Sequence, residues 1–388
     1  MKILMFDYEY PPLGGGGGVV NAHVARELAR RHEVWVITSR FRGLPAREEV
    51  EGVSVVRVPV WGRSERSVAS LRSMLTYPPG AWVAGTRLLR RKRFDVVNGH
   101  FAVPTGPGSL PAARLAGVPH IITLHGGDIY NPAYWLSPHR VPGVRATVGW
   151  ILRHSDVVVA DSRDTRERVY RYHSYRGPVE IIPHGIPLPQ IERTSRAELG
   201  LPEAAFVAVT VGRLLHRKAV DRLLKALARP ECAEIHLVVV GPGPERSGLE
   251  SLARTLGLDS RVRFEGRVEE SRKWQILAAA DIYVSASLHE GFGLVFLEAM
   301  AAGLPVVCTT SGGQMDFLAD GETGYLVAPG DENGLAAAIV RLRERPADAH
   351  RIGEHNLHEV QRFSVERCAA AYEDVFERTV RSRAARRG

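Results

Sequence analysis

The sequence predicts an α/β protein made of two parallel-sheet domains in series, and three observations carry that prediction. Short β-branched runs recur with helical segments between them; the pattern pauses over a Pro-rich, polar stretch at 184–204 and then restarts; and 388 residues exceed what one hydrophobic core usually supports. Hydrophobic residues make up 45% and charged residues 24%, ordinary globular values, and 38 glycines with 24 prolines suit a chain with many short turns.

In the first half, Lys2–Asp7, Glu33–Ser39, Val53–Val60, Asp95–Asn98, His120–Leu124, Asp156–Ala160 and Val179–Pro183 read as strands. Near-continuous apolar runs of this kind need helices on both faces, which is the habit of a parallel sheet. Beyond a joint near His184–Gln190, a second set follows: Phe206–Val211, Ile235–Val240, Val262–Phe264, Ile282–Ser285, Val306–Cys308 and Tyr325–Val327. Two such sheets make a bilobed molecule whose ligand belongs in the cleft between them, at the C-terminal ends of the strands. The last segment, Phe363–Arg387, carries Val365, Ala369, Tyr372, Val375, Phe376 and Val380 at helical spacing. It ends in Arg381, Arg383, Arg386 and Arg387, cations that suit a helix C-terminus. The expected division is 1–187, 188–362 and a final helix at 363–388.

No stretch approaches ~20 uninterrupted apolar residues, and the start, MKILMFDYEYPP, has an acid and prolines where a signal peptide needs an apolar run, so a cytoplasmic enzyme is expected. Cys232, Cys308 and Cys368 are isolated in apolar or helical contexts, which predicts structural roles and neither disulfides nor a zinc site. The net charge of +8 is uneven: residues 1–190 hold 25 Lys/Arg against 15 Asp/Glu, and residues 191–388 hold 26 against 28. Basic runs such as Arg87–Arg93 can attract anionic lipid, phosphate or nucleic acid.

The strand ending at Asp7 leads into YEYPPLGGGGGVVNAHVARELA, where Gly14–Gly18 open a helix with Val20, Val24 and Leu28 on one stripe. Five glycines allow close backbone approach, and a helix N-terminus offers free N–H groups to a phosphate or carboxylate. The dinucleotide fingerprint G-x-G-x-x-G fits poorly, because six residues precede the glycines and its third position falls on Val19, Val20 or Asn21. The second strand ends in Thr38-Ser39-Arg40 rather than an acid, and Arg40 keeps an NADP reading open.

In the second half, Arg213 and Lys218 follow a strand end in GRLLHRKAVDRLLKAL, five residues apart, a spacing that lets two cations clamp a diphosphate and neutralise charge growing on a leaving group. Turns at Gly241 to Glu245 and at Gly266-Arg267 offer main-chain groups to a base or phosphate. The stretch LHEGFGLVFLEAMAAGLPVV sets Glu290 and Glu298 eight positions apart around glycines. Glu290 sits on a loop whose amides, from Gly291 through Phe292, Gly293 and Leu294 to Val295, can meet phosphate and sugar oxygens; Glu298 lies one turn into a helix at Leu294–Ala302. Carboxylates are good acceptors for vicinal hydroxyls, so one acid for a donor sugar and one for a ribose is a coherent division.

Taken together these residues resemble the family 4 glycosyltransferases of the retaining, GT-B type, over essentially the whole chain. The most specific match is Glu-x(7)-Glu in EGFGLVFLEAMAAGLPVV. Supporting it are the Pro-Pro-x-Gly-rich loop, Thr123-Leu124-His125-Gly126-Gly127-Asp128, Pro183-His184-Gly185-Ile186-Pro187, Gly212-Arg213-Leu214 with Lys218, Gly312-Gly313, and Phe363-Ser364. The resemblance implies two Rossmann-like domains facing each other across a cleft, the first for the acceptor and the second for a nucleotide sugar, with the C-terminal helix returning to the first. It implies that Arg213 and Lys218 hold the donor diphosphate, Glu298 the ribose, and Glu290 with the amides of Phe292–Val295 the donor sugar and β-phosphate. Gly212, Gly241, Gly266 and Arg267 would complete the donor site. His125 would contact the sugar near the reacting carbon. Gly14, Gly15 and Asp128 would line the acceptor side, and Gly16 and Gly17 would approach the diphosphate.

The reaction implied is transfer of a hexosyl unit from a UDP-sugar or GDP-mannose, with no cofactor and no metal, through a front-face step in which the departing phosphate takes the acceptor's proton. The sequence shows no metal-ligand spacing and no carboxylate pair of the glycosidase kind. A glycan, a lipid or a small molecule is the expected acceptor, with a lipid-linked or other anionic one favoured by the basic first half. That implies contact with the inner face of an anionic membrane and no nucleic-acid partner. A nucleotide-sugar 2-epimerase of the same architecture and a polyanion-binding protein are the rival readings. Ala219 after Lys218 and His184-Gly185-Ile186-Pro187 depart from the commoner family pattern without removing a proposed charge.

Overall fold

A computed structural model describes residues 1–66, 69–132, 136–192 and 194–385. It divides into two compact units, Met1–Pro187 joined by the chain from Phe363 onward, and Leu188–Arg362.

The first unit runs β1 (Lys2–Asp7), α1 (Gly16–Ala29), β2 (Glu33–Ser39), β3 (Arg47–Val50), β4 (Val53–Val58), α2 (Leu71–Arg91), β5 (Val96–His100), α3 (Ala102–Ala116), β6 (His120–Leu124), α4 (Pro142–His154), β7 (Val157–Ala160), α5 (Arg163–Tyr172) and β8 (Glu180–Ile181). Its sheet has the order β3-β4-β2-β1-β5-β6-β7-β8, parallel except for the β3–β4 pair. The apolar runs of β1, β5 and β6 are buried along almost their whole length because helices cover both faces. The strand β3 is a departure from the all-parallel expectation. Its sequence, REEV, is polar and half exposed at the sheet edge, so no apolar run announces it, and it is recruited by its register against Val53–Val56. The predicted Val179–Pro183 strand shrinks to two residues at the opposite edge.

The second unit runs β9 (Phe206–Val211), α6 (Val220–Leu227), β10 (Ile235–Val240), α7 (Arg246–Thr255), β11 (Val262–Gly266), α8 (Glu270–Ala279), β12 (Ile282–Ser285), α9 (Leu294–Ala301), β13 (Val306–Thr309), β14 (Gly324–Val327), α10 (Glu332–Glu344) and α11 (Pro346–Glu359). Its six strands are ordered β11-β10-β9-β12-β13-β14, so β9 and β12, whose C-terminal loops carry the predicted clamp and the first predicted glutamate, are neighbours.

The last helix, α12 (Val365–Ala385), belongs to the first unit. Val365, Ala369, Tyr372, Val375 and Phe376 are buried as the spacing predicts. Glu373 meets His32 at 2.7 Å and Arg31 at 2.7 Å, Arg378 meets Glu180 at 2.9 Å, and Arg383 meets Asp156 at 2.9 Å. Arg386 and Arg387 lie outside the described residues. The three cysteines are free and buried.

Candidate active site

In the second unit, Gly212 to Leu214, Lys218, Thr210, Ser285 and Ser287 line a recess at the ends of β9 and β12. The recess exists because glycines let three strand ends close together. Gly241 donates its N–H to Gly266 O at 2.7 Å, Gly212 donates to Val240 O at 2.9 Å, and a Cβ on Gly241, at φ +132°, would lie 2.0 Å from Gly212 O. Gly241 and Gly266 thus tie the strand ends together without lining the recess themselves, and Arg267 is exposed.

Glu290 is 4% exposed and is gripped from two sides. Lys218 Nζ donates to one carboxylate oxygen, and Arg217 Nη1 donates to the other at 3.0 Å and to His289 O at 3.1 Å. Its main chain is fixed as firmly: Glu290 N donates to Ser311 O, and Gly313 N donates to Glu290 O at 2.9 Å. A Cβ on Gly312, at φ +122°, would lie 2.0 Å from Glu290 O, which explains the first glycine of the pair after β13. Burial acts to raise the Glu290 carboxyl, but the Lys218 and Arg217 charges outweigh it and hold it well below the usual range, so it is ionised. Burial in turn pulls the Lys218 ammonium down, with Glu290 opposing.

Beyond Glu290, Gly293 takes φ +95° as the N-cap of α9, and Leu294 and Val295 form the first turn, whose N–H groups lack intrahelical acceptors. Phe292 is buried against Phe317. Glu298, on α9, accepts from Lys273 Nζ at 2.7 Å, and Lys273 also meets Glu270 at 2.6 Å. Burial raises the Glu298 carboxyl above its ordinary value, with Lys273 opposing. Arg217 and Lys273 are the partners that sequence reasoning missed. Arg217 sits in the clamp motif itself, next to Lys218; Lys273 showed only an i,i+3 helix pair with Glu270.

In the first unit, the glycine run divides. Gly14 takes φ +88° and donates to Arg66 O at 2.8 Å, Gly15 is the N-cap of α1, and Gly16 and Gly17 lie in the first helical turn. The Glu9 carboxylate, unremarked in the sequence, accepts from Gly15 N at 3.0 Å, so this helix end already has an internal anion. A Cβ on Gly17 would come within 2.9 Å of the Phe101 ring and 3.4 Å of His125 Nδ1, so the loop and His125 do meet.

His125 is the middle of three buried imidazoles. Its Nε2 lies 3.3 Å from His100 Nδ1 and its Nδ1 3.2 Å from His184 Nε2; Asn98 Nδ2 reaches His100 Nε2 at 3.0 Å, and Asp161 Oδ2 is 3.5 Å from His184 Nε2. Phe101, at φ +70°, packs against His125 with ring centroids 4.3 Å apart and the rings tilted by 33°. Burial, then the neighbouring imidazoles, push His125 well below its ordinary value; burial takes His184 to about 4 and Asp161 up to about 8. His125 is therefore neutral, a hydrogen-bonding group rather than a cation. Asp128, expected to line the acceptor side, spends its oxygens on the main chain, accepting from Ala102 N at 2.6 Å and His125 N at 2.9 Å. It shapes the His125 turn.

Residues 14–189 match the family model for Glycosyltransferase Family 4, and residues 191–358 match that for Glycosyl transferases group 1. D-inositol 3-phosphate glycosyltransferase 2 of Catenulispora acidiphila is 32% identical over 96% of this chain and 92% of its own length. The chain belongs to the family 4 glycosyltransferases. Among solved structures, this glycosyltransferase superposes on sucrose-phosphate synthase of Thermosynechococcus elongatus with a TM-score of 0.85 at 24% identity, covering 98% of this chain and 99% of that one. Anabaena HepE in complex with UDP-glucose gives a TM-score of 0.77 at 22% identity over 97% and 99%. Both likenesses confirm the GT-B fold.

Proposed function

We propose that the enzyme moves a hexosyl unit from a UDP- or GDP-sugar to an acceptor hydroxyl with retention of anomeric configuration. The observation that carries this reading is the cationic recess of the second unit, where Arg213 and Lys218 line the strand ends and the ionised Glu290 is locked beside them. Arg213 and Lys218 take the donor diphosphate in place of a divalent ion, the first-turn amides of α9 take a phosphate or sugar oxygen, Glu290 the sugar hydroxyls and Glu298 the ribose. In the transfer the C1–O bond to the β-phosphate breaks with its electron pair leaving on that phosphate. The acceptor oxygen bonds C1 on the same face, and its proton goes to the departing diphosphate. The neutral His125 serves this step as a hydrogen-bonding group, held by Asp128 and its imidazole neighbours.

The acceptor is read as anionic, lipid-linked or both, with the enzyme working at the inner face of the membrane. The basic first unit supports this, as does the phosphorylated acceptor in the name of the Catenulispora relative. A thermal-shift panel of UDP, GDP, ADP and NADP⁺ on the wild type and Glu298→Ala tests the donor site. A ligand at ~100 times its dissociation constant adds ~2.7 kcal/mol. Stabilisation by UDP or GDP that the variant loses is the expected result; stabilisation by NADP⁺ alone, or by none of the four, overturns the reading.

A further inference from the structure

The helix α2 has two unlike faces. Its inner stripe, Ser73, Tyr77, Ala81, Gly85 and Leu88, is buried on the sheet and α3. Tyr77 donates to Ile37 O at 2.9 Å, and a Cβ on Gly85 would strike the Phe6 ring, so this face is committed. The outer face of a helix so docked is ordinarily charged. Here its first four turns present Leu71 (53% exposed), Leu75 (68%), Trp82 (43%) and Val83 (52%). Trp61, 76% exposed, adjoins them, its N–H donating to Thr76 Oγ1 at 3.0 Å. No other part of the described chain carries so many of the large exposed apolar side chains together.

The charge along this stretch of chain is predominantly positive. Residues 61–93 hold eight Lys/Arg and one acid, and α2 itself holds four arginines and no acid. Arg72 lies within the apolar half, and Arg87, Arg90 and Arg91 are exposed on the last turns. A tryptophan and leucines on one side of a helix, with a second tryptophan adjoining and arginines beside them, suit the boundary between acyl chains and anionic headgroups. A protein partner of ordinary composition would not call for so strong a positive excess.

The face is also continuous with the site. The 61–66 segment beside α2 touches the glycine loop through Gly14 N donating to Arg66 O at 2.8 Å, and Arg63 lies over the Tyr8 ring, 5.1 Å from its centroid. A surface seated on Trp61 and the start of α2 therefore lies next to the loop assigned to the acceptor.

We infer that the outer face of α2, with Trp61, docks the enzyme on an anionic phospholipid surface, apolar side chains in the interface and Arg87, Arg90 and Arg91 on the headgroups. The inference rests on the reading of a membrane-associated acceptor and names the surface that serves it. Vesicle binding is measured without donor or acceptor, so docking and transfer fail separately: loss of nucleotide stabilisation with intact docking refutes the transferase reading alone.

The test is co-sedimentation of the full chain with vesicles of phosphatidylcholine, or of phosphatidylcholine with phosphatidylglycerol, at low and high salt. Two variants accompany it, Trp61→Glu/Leu75→Glu at the two most exposed positions, and Arg87→Ala/Arg90→Ala/Arg91→Ala. Neither touches the core, and an unchanged melting temperature with UDP checks each fold. The wild type is expected to pellet with the anionic vesicles and not the neutral ones. The apolar pair weakens partitioning at least about tenfold, and the arginine triple roughly a hundredfold at low salt, near a factor of five per charge. Equal binding to neutral vesicles, no binding to either, or wild-type binding by both variants overturns the inference. So does a concentration-dependent dimer, seen by light scattering, that the apolar pair dissolves, because a second copy would then own this face.

Discussion

Replacing Glu290 by Gln keeps the volume of a buried side chain and removes the one charge that holds two cations together. In the wild type Lys218 and Arg217 both donate to this carboxylate, and the Lys218 side chain is only 13% exposed. Removing one partner of a buried pair costs ~3–5 kcal/mol because the other charge is left uncompensated. Arg217, 28% exposed, keeps part of its hydration and its bond to His289 O, which argues for the lower end of that range, about 3 kcal/mol. At ~2–4 °C per kcal/mol for a domain of this size, the melting temperature of the second unit falls by roughly 6–12 °C. Lys218, which lines the recess proposed for the diphosphate, is then released from its carboxylate, so inorganic diphosphate is expected to stabilise Glu290→Gln more than it stabilises the wild type, while sugar transfer is lost. Differential scanning fluorimetry with and without diphosphate reads both effects. The sign of the pH dependence is fixed as well. The folded pKa of Glu290 is depressed, so its contribution is present above the unfolded value of ~4.3 and is lost as pH falls through the lower folded value. The gap between wild type and variant therefore closes only in strong acid. An unchanged melting temperature, or diphosphate stabilising both proteins equally, would refute the reasoning.

Lys273→Met leaves Glu298 buried without its cation; its carboxyl, already raised by burial, rises further, so nucleotide affinity drops near neutral pH and recovers toward alkaline pH. Calorimetric titration with UDP and GDP across pH checks this, and a pH-independent loss contradicts it. His120 lies between Ser109 Oγ and Ser155 Oγ, each 3.0 Å away, and burial lowers its pKa to about 3. Its folded value lies below its unfolded one, so the stability it contributes is present above pH ~6.5 and is lost as pH falls toward the folded value. Urea unfolding should show the wild type losing about 2 kcal/mol relative to His120→Gln between pH ~8 and ~5; a constant difference contradicts it.

Much of this protein was legible in one dimension. A continuous β-branched run can satisfy its burial in few ways, and Lys2–Asp7, Glu33–Ser39, His120–Leu124, Phe206–Val211, Ile235–Val240 and Ile282–Ser285 are strands to the residue. Glycines that permit a backbone no other residue allows, such as Gly241 and Gly312, mark the strand ends where the site forms. The fold follows from these local demands, and the family from the resemblance carried by the motifs between them.

Which side chains meet was decided elsewhere. Arg217 finds Glu290 across 73 residues, Lys273 finds Glu298 across 25, and His125 finds His184 across 59. None of these pairs has a sequence spacing that brings it together. Each depends on the order of strands in a sheet and on where the loops above them land. The polar strand Arg47–Val50 had no apolar pattern of its own and became a strand only because a partner's edge was vacant. The apolar outer face of α2 looks in the sequence like any other helical run, since periodicity shows that residues share a side but not which side the core will cover. The sequence by itself determined the elements, the glycine turns and the acids and cations of the site, because these follow from local dihedral freedom and the need to bury apolar surface. Only the tertiary structure decided their pairing, their charge states and which apolar face stayed in water, because those depend on distances and desolvation that exist only after the chain has packed.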